Sequence, residues 1–474
     1  MDVNIKFGTD GWRGVIAEDF TFDNLRMAAQ AVADYLEDKG ESKQVAVGYD
    51  RRFLSEDFAA AAAEVFAGNG LTVYLSPKAC ATPHVSYFVN RRNLPVGVMI
   101  TASHNPYKYN GFKIKERFGG SASVDTTKQI EALLGRNPVR TMSFREAKKI
   151  SRIIETPLDE AYGELIESLV DIEAVRHSHL SVVIDSMNGV GEKLLEHWVG
   201  SRTCRVSTLR SDRDVLFAGR APEPKEAYLD VLRQAVVSSN ADLGLATDGD
   251  GDRSGGVHAD GSIFTPLEMI ALLALYLIEY RQESGVIACT NANTQYLGKI
   301  AEANGLPYVN KPVGFKYIAE VMQKQDLLIG GEESGGLTVK GYLPERDGVL
   351  INLLLLEMVV KTGKTTLQLL QDLYARFGEF HFRRRDFPVA PSKGKRQVAA
   401  ISKTPPDSIA GIAVTSVDTL DGAKLFFQDG SWLLFRQSGT EPSLRVYTEA
   451  PSLEACDRLI EMGMKALGEA DPHK

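Results

Sequence analysis

Two rhythms of apolar and polar positions run along this chain. Short apolar runs alternate with longer stretches of helical spacing, which predicts α/β architecture with largely parallel strands. VAVGYD (45–50), LTVYL (71–75) and VGVMIT (96–101) read as strands, and the Ala-rich segment 56–70 reads as a helix ended by glycine. SVVIDSM (181–187) and ADLGLAT (241–247) are strands of a second unit, with a helix over 191–199 between them. A third unit has a helix over 266–281 and strands at GVIACT (285–290) and DLLIGG (326–331). It continues in a long apolar helix capped by Asp347 and ended near Gly363, then a second helix ended near Gly378. After that the pattern changes. EFHFRRRDF (379–387), AKLFFQD (423–429) and SWLLFRQ (431–437) are strands separated by turns, which predicts a smaller α+β domain.

At 474 residues the chain exceeds a single core. The expected units are 1–150, 151–255, 256–376 and 377–474, with the polar, basic stretch 136–152 as a linker or boundary helix. Four apolar runs each end in a dense polar loop: VGVMI in TASHNPYKYNGFK, LGLA in TDGDGDR, LLIG in GEESGG and SWLLF in RQSGTEP. Ligands of open α/β sheets bind at the carboxyl ends of strands. One loop per unit therefore predicts a single cleft built from all four.

Composition narrows the chemistry. The net charge is −8, with no Lys/Arg stripe, which argues against nucleic acid as a partner. An anionic ligand would have to meet local, specific cations. Cys80, Cys204, Cys289 and Cys456 lie far apart without metal spacing and read as reduced, mostly buried thiols. The opening MDVNIKFGTDGWRG has no signal pattern, and the most apolar stretch, 266–278, is short and contains Glu268. No membrane partner and a cytoplasmic location are expected, as a monomer or a dimer.

In TDGDGDR (247–253), Asp248, Asp250 and Asp252 alternate with glycines. Carboxylates this close repel unless a cation neutralises them, and hard oxygen ligands suit Mg²⁺ or Ca²⁺. An EF-hand is excluded because no glutamate stands at the twelfth position and the context is a strand. In TASHNPYKYNGFK (101–113), Ser103 follows a strand on what should be an exposed, rigid loop. His104 is its neighbour in sequence and so poorly placed as its base. Lys113 could approach from the far side of the loop if nearby cations and desolvation lowered its pKa. A GxSxG elbow is absent. In RQSGTEPSLR (436–445), Arg436, Ser438, Thr440 and the backbone around Gly439 could cradle a phosphate. Glu332, Glu333 and Ser334 in GEESGG suit sugar hydroxyls, and Arg13 sits among glycines in FGTDGWRG. Each of these last three patterns is equally compatible with a structural turn or ion pair when taken alone.

Together, in this order and spacing, FGTDGWRG, TASHNPYKYNGFK, TDGDGDR, GEESGG and RQSGTEP resemble the α-D-phosphohexomutase superfamily, most closely its phosphoglucomutase branch. The resemblance covers essentially the whole chain. It implies three related α/β domains with mixed sheets and a smaller C-terminal α+β domain around a central cleft. It also implies a phosphoserine at Ser103, with Mg²⁺ held by Asp248, Asp250, Asp252 and an oxygen on Ser103. Glu332 and Ser334 would contact the sugar, and Arg436, Ser438, Gly439 and Thr440 the phosphate that does not react. Arg13, Lys113 and Arg253 would lie near the transferring group, with Lys113 as general acid/base. The implied reaction interconverts hexose 1-phosphate and hexose 6-phosphate through a 1,6-bisphosphate, with glucose 1,6-bisphosphate as activator.

GFKY (314–317) and GEESGG resemble the phosphoglucomutase side of the superfamily, which implies glucose phosphates, with Lys316 a further sugar or phosphate contact. Phosphomannomutase/phosphoglucomutase and phosphoglucosamine mutase members often carry histidine where this chain has Gly336, a departure that disfavours those branches. A glucose 1,6-bisphosphate synthase and a phosphomannomutase stand as alternatives. A non-enzymatic sensor is disfavoured because Ser103 and all three aspartates are present.

Overall fold

The computed structural model describes residues 5–8, 10–439 and 442–469. Four sheets organise the chain. In the first, the strands run Trp12–Val15, Tyr109–Glu116, Val96–Ile100, Gln44–Tyr49, Thr72–Leu75 and Ile153–Glu155 in spatial order. The last four are mutually parallel, and the first two form an antiparallel edge. The second sheet repeats the plan: Arg205–Leu209, Ser181–Asp185 and Leu243–Thr247 are parallel, and Ser254–His258 and Ile263–Phe264 return antiparallel. In the third, Tyr308–Lys311, Val286–Thr290 and Leu327–Gly331 are parallel and Leu337–Val339 is antiparallel. The fourth sheet is wholly antiparallel.

A common geometry places the functional loops. In each of the first three sheets, one parallel strand turns directly into an antiparallel neighbour. The turns lie between Ile100 and Tyr109, Thr247 and Ser254, and Gly331 and Leu337. These are the Ser103, triple-aspartate and GEESGG loops. The fourth loop joins the hairpin strands Trp432–Gln437 and Ser443–Ala450. The long loop read at 101–113 is therefore shorter than its sequence suggests, since Lys113 lies on the strand Tyr109–Glu116.

The parallel strands are apolar almost throughout because helices cover both faces. Val96–Ile100, Leu243–Thr247, Val286–Thr290 and Leu327–Gly331 are buried at every position. The helix Gly348–Thr362 begins at the Asp347 cap, whose side chain accepts from the Val349 and Leu350 N–H groups, and ends at Gly363 in the left-handed region. It is buried around nearly its full circumference and lies in one apolar core shared by the second and third units. The first and fourth units have cores of their own.

Unit edges follow from strand membership. The helix Phe144–Lys149 packs on the helix Ser55–Gly68 and leads into Ile153–Glu155, so the basic stretch belongs to the first unit and that unit's last strand lies beyond residue 150. Likewise Ser254–His258 and Ile263–Phe264 belong to the second sheet. All four cysteines are reduced and buried. Among the described residues, no helix is long and apolar enough to cross a membrane.

Candidate active site

Ser103 occupies the turn after Val96–Ile100 with a φ of 53°, the left-handed region that β-carbon crowding disfavours. Surrounding structure holds it there. Thr101 Oγ1 accepts from the Ser103 N–H at 2.8 Å. Buried Arg52 does most of the holding. Its guanidinium donates to the carbonyls of Ser103 (2.5 Å), Asn105 (2.7 Å), Pro106 (3.1 Å) and Tyr109 (3.2 Å), and to Asp50 through Nε (3.0 Å). The Phe217 ring covers it at 5.0 Å. One fork thus ties down the whole loop.

The loop is tied down by these bonds, but Ser103 is fully buried rather than exposed. Its Oγ donates to Asp248 Oδ2 at 2.9 Å, because the aspartate turn of the second unit packs directly against it. His104 Nδ1 stands 3.3 Å from the same Oγ, closer than sequence adjacency suggests. The left-handed backbone at Ser103 removes the alternation that would point neighbouring side chains apart. Burial first, then Arg253, Arg13, Arg52 and Lys113, hold His104 well below the usual histidine range, so it is neutral.

Asp248, Asp250 and Asp252 are fully buried, with one oxygen of each within 4.8 Å of the others. Asp248 Oδ1 accepts from the N–H groups of Asp252 (3.0 Å) and Arg253 (3.2 Å). Thr82 Oγ1 donates to Asp250 Oδ2 at 2.5 Å. Among the described residues, Asp250 Oδ1 and Asp252 Oδ1 are buried with no hydrogen-bond partner. Buried carboxylate oxygens left unpaired are costly, so this donor set fits a hard divalent cation. Burial, then the charges of Asp250 and Asp252, push the Asp248 carboxyl well above its ordinary range. Asp250 and Asp252 each bond a cationic side chain, whereas Asp248 is bonded only by Ser103 and backbone N–H groups, so it is the one pushed up.

Lys113 bonds to three carboxylates: Asp10 (2.8 Å), Asp250 (2.8 Å) and Asp252 (3.0 Å). Burial would depress its ammonium, but these partners outweigh it and hold Lys113 above the ordinary lysine range. The lowered pKa expected of a lysine base is thus replaced by the opposite shift, because the facing groups are anions rather than cations. Arg346 completes the network. It donates to Asp10 at 2.5 Å, Asp252 at 2.7 Å and Glu332 at 3.3 Å. Asp10, Arg52 and Arg346 were not singled out from sequence. Asp10 stands in the FGTDGWRG motif, but Arg52 and Arg346 carry no local pattern beyond a charge beside a turn.

The remaining residues line a cleft of about 1920 Å³ that all four units contribute to. Arg13, His104 and Arg253 lie at one end, over the buried Ser103, Lys113 and aspartates. Arg13 donates to Asn105 Oδ1 at 2.6 Å, and Arg253 lies 3.9 Å from Asp252. Glu332, Ser334 and Lys316 line the same space from the third unit. Arg436, Ser438 and Gly439 line it from the fourth, joined by Arg384 and Arg445 from the neighbouring strands. Thr440 lies outside the described residues. Basic side chains outnumber acidic ones in this lining although the chain is acidic overall.

This arrangement can be set beside known proteins. Residues 4–139, 160–261 and 265–377 match the phosphoglucomutase/phosphomannomutase alpha/beta/alpha domains I, II and III, and residues 388–466 match the C-terminal domain of the same family. A phosphoglucomutase/phosphomannomutase of Thermococcus kodakarensis is 30% identical over 98% of both chains. The chain belongs to the phosphoglucomutase/phosphomannomutase family. It is a phosphohexomutase, an intramolecular phosphotransferase. A Methanobrevibacter smithii relative, provisionally named phosphoglucosamine mutase, is also 30% identical, over 99% of this chain and 100% of its own. A Thermus thermophilus crystal structure, provisionally a phosphomannomutase, superposes with a TM-score of 0.86 at 35% identity, over 99% of this chain and 100% of that one. The four-domain architecture expected from the loops is the architecture of this family.

Proposed function

We propose that this phosphohexomutase interconverts glucose 1-phosphate and glucose 6-phosphate through glucose 1,6-bisphosphate, with Ser103 as the phosphoryl carrier. The observation that carries the reading is the pairing of two sites across one cleft. At one end Ser103 Oγ meets a triad with two unpaired carboxylate oxygens. At the other, Arg436, Ser438 and Gly439 offer a phosphate cradle. Separate sites for the two phosphates let either end of the sugar be presented to Ser103.

Asp248, Asp250, Asp252 and an oxygen on Ser103 would hold Mg²⁺, which when bound offsets charge on the transferring phosphoryl oxygens. The chain's own residues do the rest. Arg13 and Arg253 face the same oxygens from the cleft side. As the phosphorus–oxygen bond to Ser103 breaks and one to the sugar hydroxyl forms, that hydroxyl loses a proton and the serine oxygen gains one. Neutral His104, 3.3 Å from Ser103 Oγ, is placed to exchange it, and Lys113, held protonated by three carboxylates, supplies a fixed positive charge. Glu332, Ser334 and Lys316 orient the sugar between the two phosphate sites. Burial of Ser103 shields its phosphoryl group from water.

Glucose is favoured over mannose and glucosamine because GFKY and GEESGG resemble the phosphoglucomutase side of the superfamily, and Gly336 stands where phosphomannomutase/phosphoglucomutase and phosphoglucosamine mutase members often carry histidine. The test compares turnover of glucose, mannose and glucosamine phosphates, with and without added glucose 1,6-bisphosphate. Intact mass is read for wild type and Ser103→Ala. Glucose phosphates should turn over fastest, and wild type alone should gain one phosphate. A Ser103→Ala enzyme as active as wild type would end this reading. Net accumulation of glucose 1,6-bisphosphate would instead identify a synthase.

A further inference from the structure

We infer that Asp421 is the positioning residue that aligns the phosphate cradle with the GFKY segment carrying Lys316. Asp421 lies in the turn between the strands Ile412–Asp418 and Ala423–Phe427. It touches neither the reacting atoms nor the aspartate triad. Its Oδ2 accepts two hydrogen bonds from different units of the chain. One comes from Arg436 Nε at 2.7 Å, the other from the backbone N–H of Val313 at 2.8 Å.

Each donor belongs to a different part of the cleft. Arg436 is the penultimate residue of the strand Trp432–Gln437, at the start of the RQSGTEP segment. Among the described residues its side chain hydrogen-bonds to Asp421 alone, through Nε, so both Nη atoms remain for an anion. A guanidinium anchored at Nε presents its Nη pair as a fixed fork, the geometry that grips phosphate. Val313 precedes Gly314, whose φ of 138° lies where side chains are strained, and Gly314 caps the helix Phe315–Lys324. Lys316, in the first turn of that helix, faces the cleft. One oxygen atom therefore sets both the fork and the segment that aims Lys316.

Neighbouring contacts make the junction stiff. Lys424 Nζ donates to the Asn291 carbonyl at 2.7 Å and sits 3.9 Å from the Trp432 ring centre. Glu449 accepts from Thr294 Oγ1 at 2.5 Å, the Gln295 N–H at 3.0 Å and Trp432 Nε1 at 2.9 Å. These also join the third and fourth units, but none ends on a residue of the phosphate loop. Asp421 does, and so it transmits the fit of one loop to the other.

This inference rests on the proposed reading of Arg436 as a phosphate ligand. A charge-assisted hydrogen bond of this kind corresponds to about tenfold or more in affinity. Glucose 6-phosphate binding is measured by calorimetry, alongside KM and kcat for glucose 1-phosphate. Asp421→Ala should weaken binding and raise KM about tenfold, with kcat changed less. Asp421→Asn keeps an acceptor oxygen without the charge and should fall between Ala and wild type; it also carries the test if the alanine variant does not fold. In an Arg436→Ala background, Asp421→Ala should weaken binding by clearly less than in the wild-type background, because the fork is already missing and only the Val313 anchor is then lost. Equal dissociation constants and KM for wild type and both Asp421 variants would overturn the inference and leave the mutase reading standing. So would an undiminished Asp421→Ala effect in the Arg436→Ala background. Wild type that binds glucose 6-phosphate without turning over any hexose phosphate would overturn the mutase reading, while a graded affinity series would still uphold Asp421. No binding to wild type would overturn both.

Discussion

Replacing Gly336 by alanine adds one methyl group where the site has no room for it. A β-carbon built there lies 2.2 Å from Arg346 Cδ, 2.9 Å from Cγ and 3.4 Å from Nε. Carbon atoms in contact sit about 3.5–4.0 Å apart, so the arginine must move. It cannot move freely. Its guanidinium is tied to Asp10, Asp252 and Glu332, and only 4% of the residue is exposed. Overpacking of this kind costs about 1–3 kcal/mol. If the arginine leaves, Asp10 and Asp252 lose a buried cation, a loss of about 3–5 kcal/mol where no second partner remains. Lys113 still pairs with both carboxylates, which places the expected cost near 3 kcal/mol. Urea unfolding of wild type, Gly336→Ala, Arg346→Ala and the double variant measures it. Arg346→Ala deletes Cγ, Cδ and Nε, so alanine at 336 should then cost less than about 1 kcal/mol. A Gly336→Ala protein that unfolds at the wild-type midpoint, or an equal cost in both backgrounds, would refute the argument.

Three further outcomes follow from the buried charges. Mg²⁺ should raise the thermal midpoint of wild type, by mass action worth about 2.7 kcal/mol at a hundredfold excess over the dissociation constant; Asp248→Asn, read in the same titration, should lose that rise and keep a metal-free midpoint at or above wild type, since Asp248 is the carboxyl pushed up in the crowded triad. Burial, against the Tyr162 and Tyr342 hydroxyls and two backbone N–H groups, pushes Asp347 up to about 6. The native state then binds the extra proton, so this group's contribution is complete below the ordinary aspartate value, falls by roughly 3 kcal/mol as pH rises, and is lost above about pH 6; Asp347→Asn should flatten that slope in unfolding measured from pH 4 to 7. Arg52→Met should destabilise by about 3–5 kcal/mol because Asp50 stays buried without its cation, and Asp50→Asn should recover part of the loss; wild-type stability in Arg52→Met would show that the fork does not hold the Ser103 loop.

Much of this site is legible in the chain because its chemistry is local. Three aspartates alternating with glycines must face one another whatever surrounds them. Apolar runs that stop at dense polar loops mark strand ends, and in the first three units each of those loops proved to be the turn from a parallel strand into its antiparallel neighbour. The caps at Asp347 and Gly363 depend on a few adjacent residues, and the structure has both. Where the sequence reading failed, the missing information was a partner from another unit. Lys113 keeps its proton because Asp10, Asp250 and Asp252 converge on it from distant segments. Ser103 is buried because the second unit's aspartate turn covers it.

The sequence by itself determined the class of fold, the order of the four loops and the residue types that can carry metal, phosphoryl group and phosphate. Those follow from short-range periodicity and from chemistry contained within a few residues. Only the tertiary structure decided which groups share a cavity, which stay charged and which hold the others in place. Arg52, Arg346 and Asp421 each tie together segments apart in the chain through several directed hydrogen bonds, and no local pattern records contacts of that kind. Protonation is decided at the same level, because burial and facing charge are properties of the assembled site rather than of any one segment.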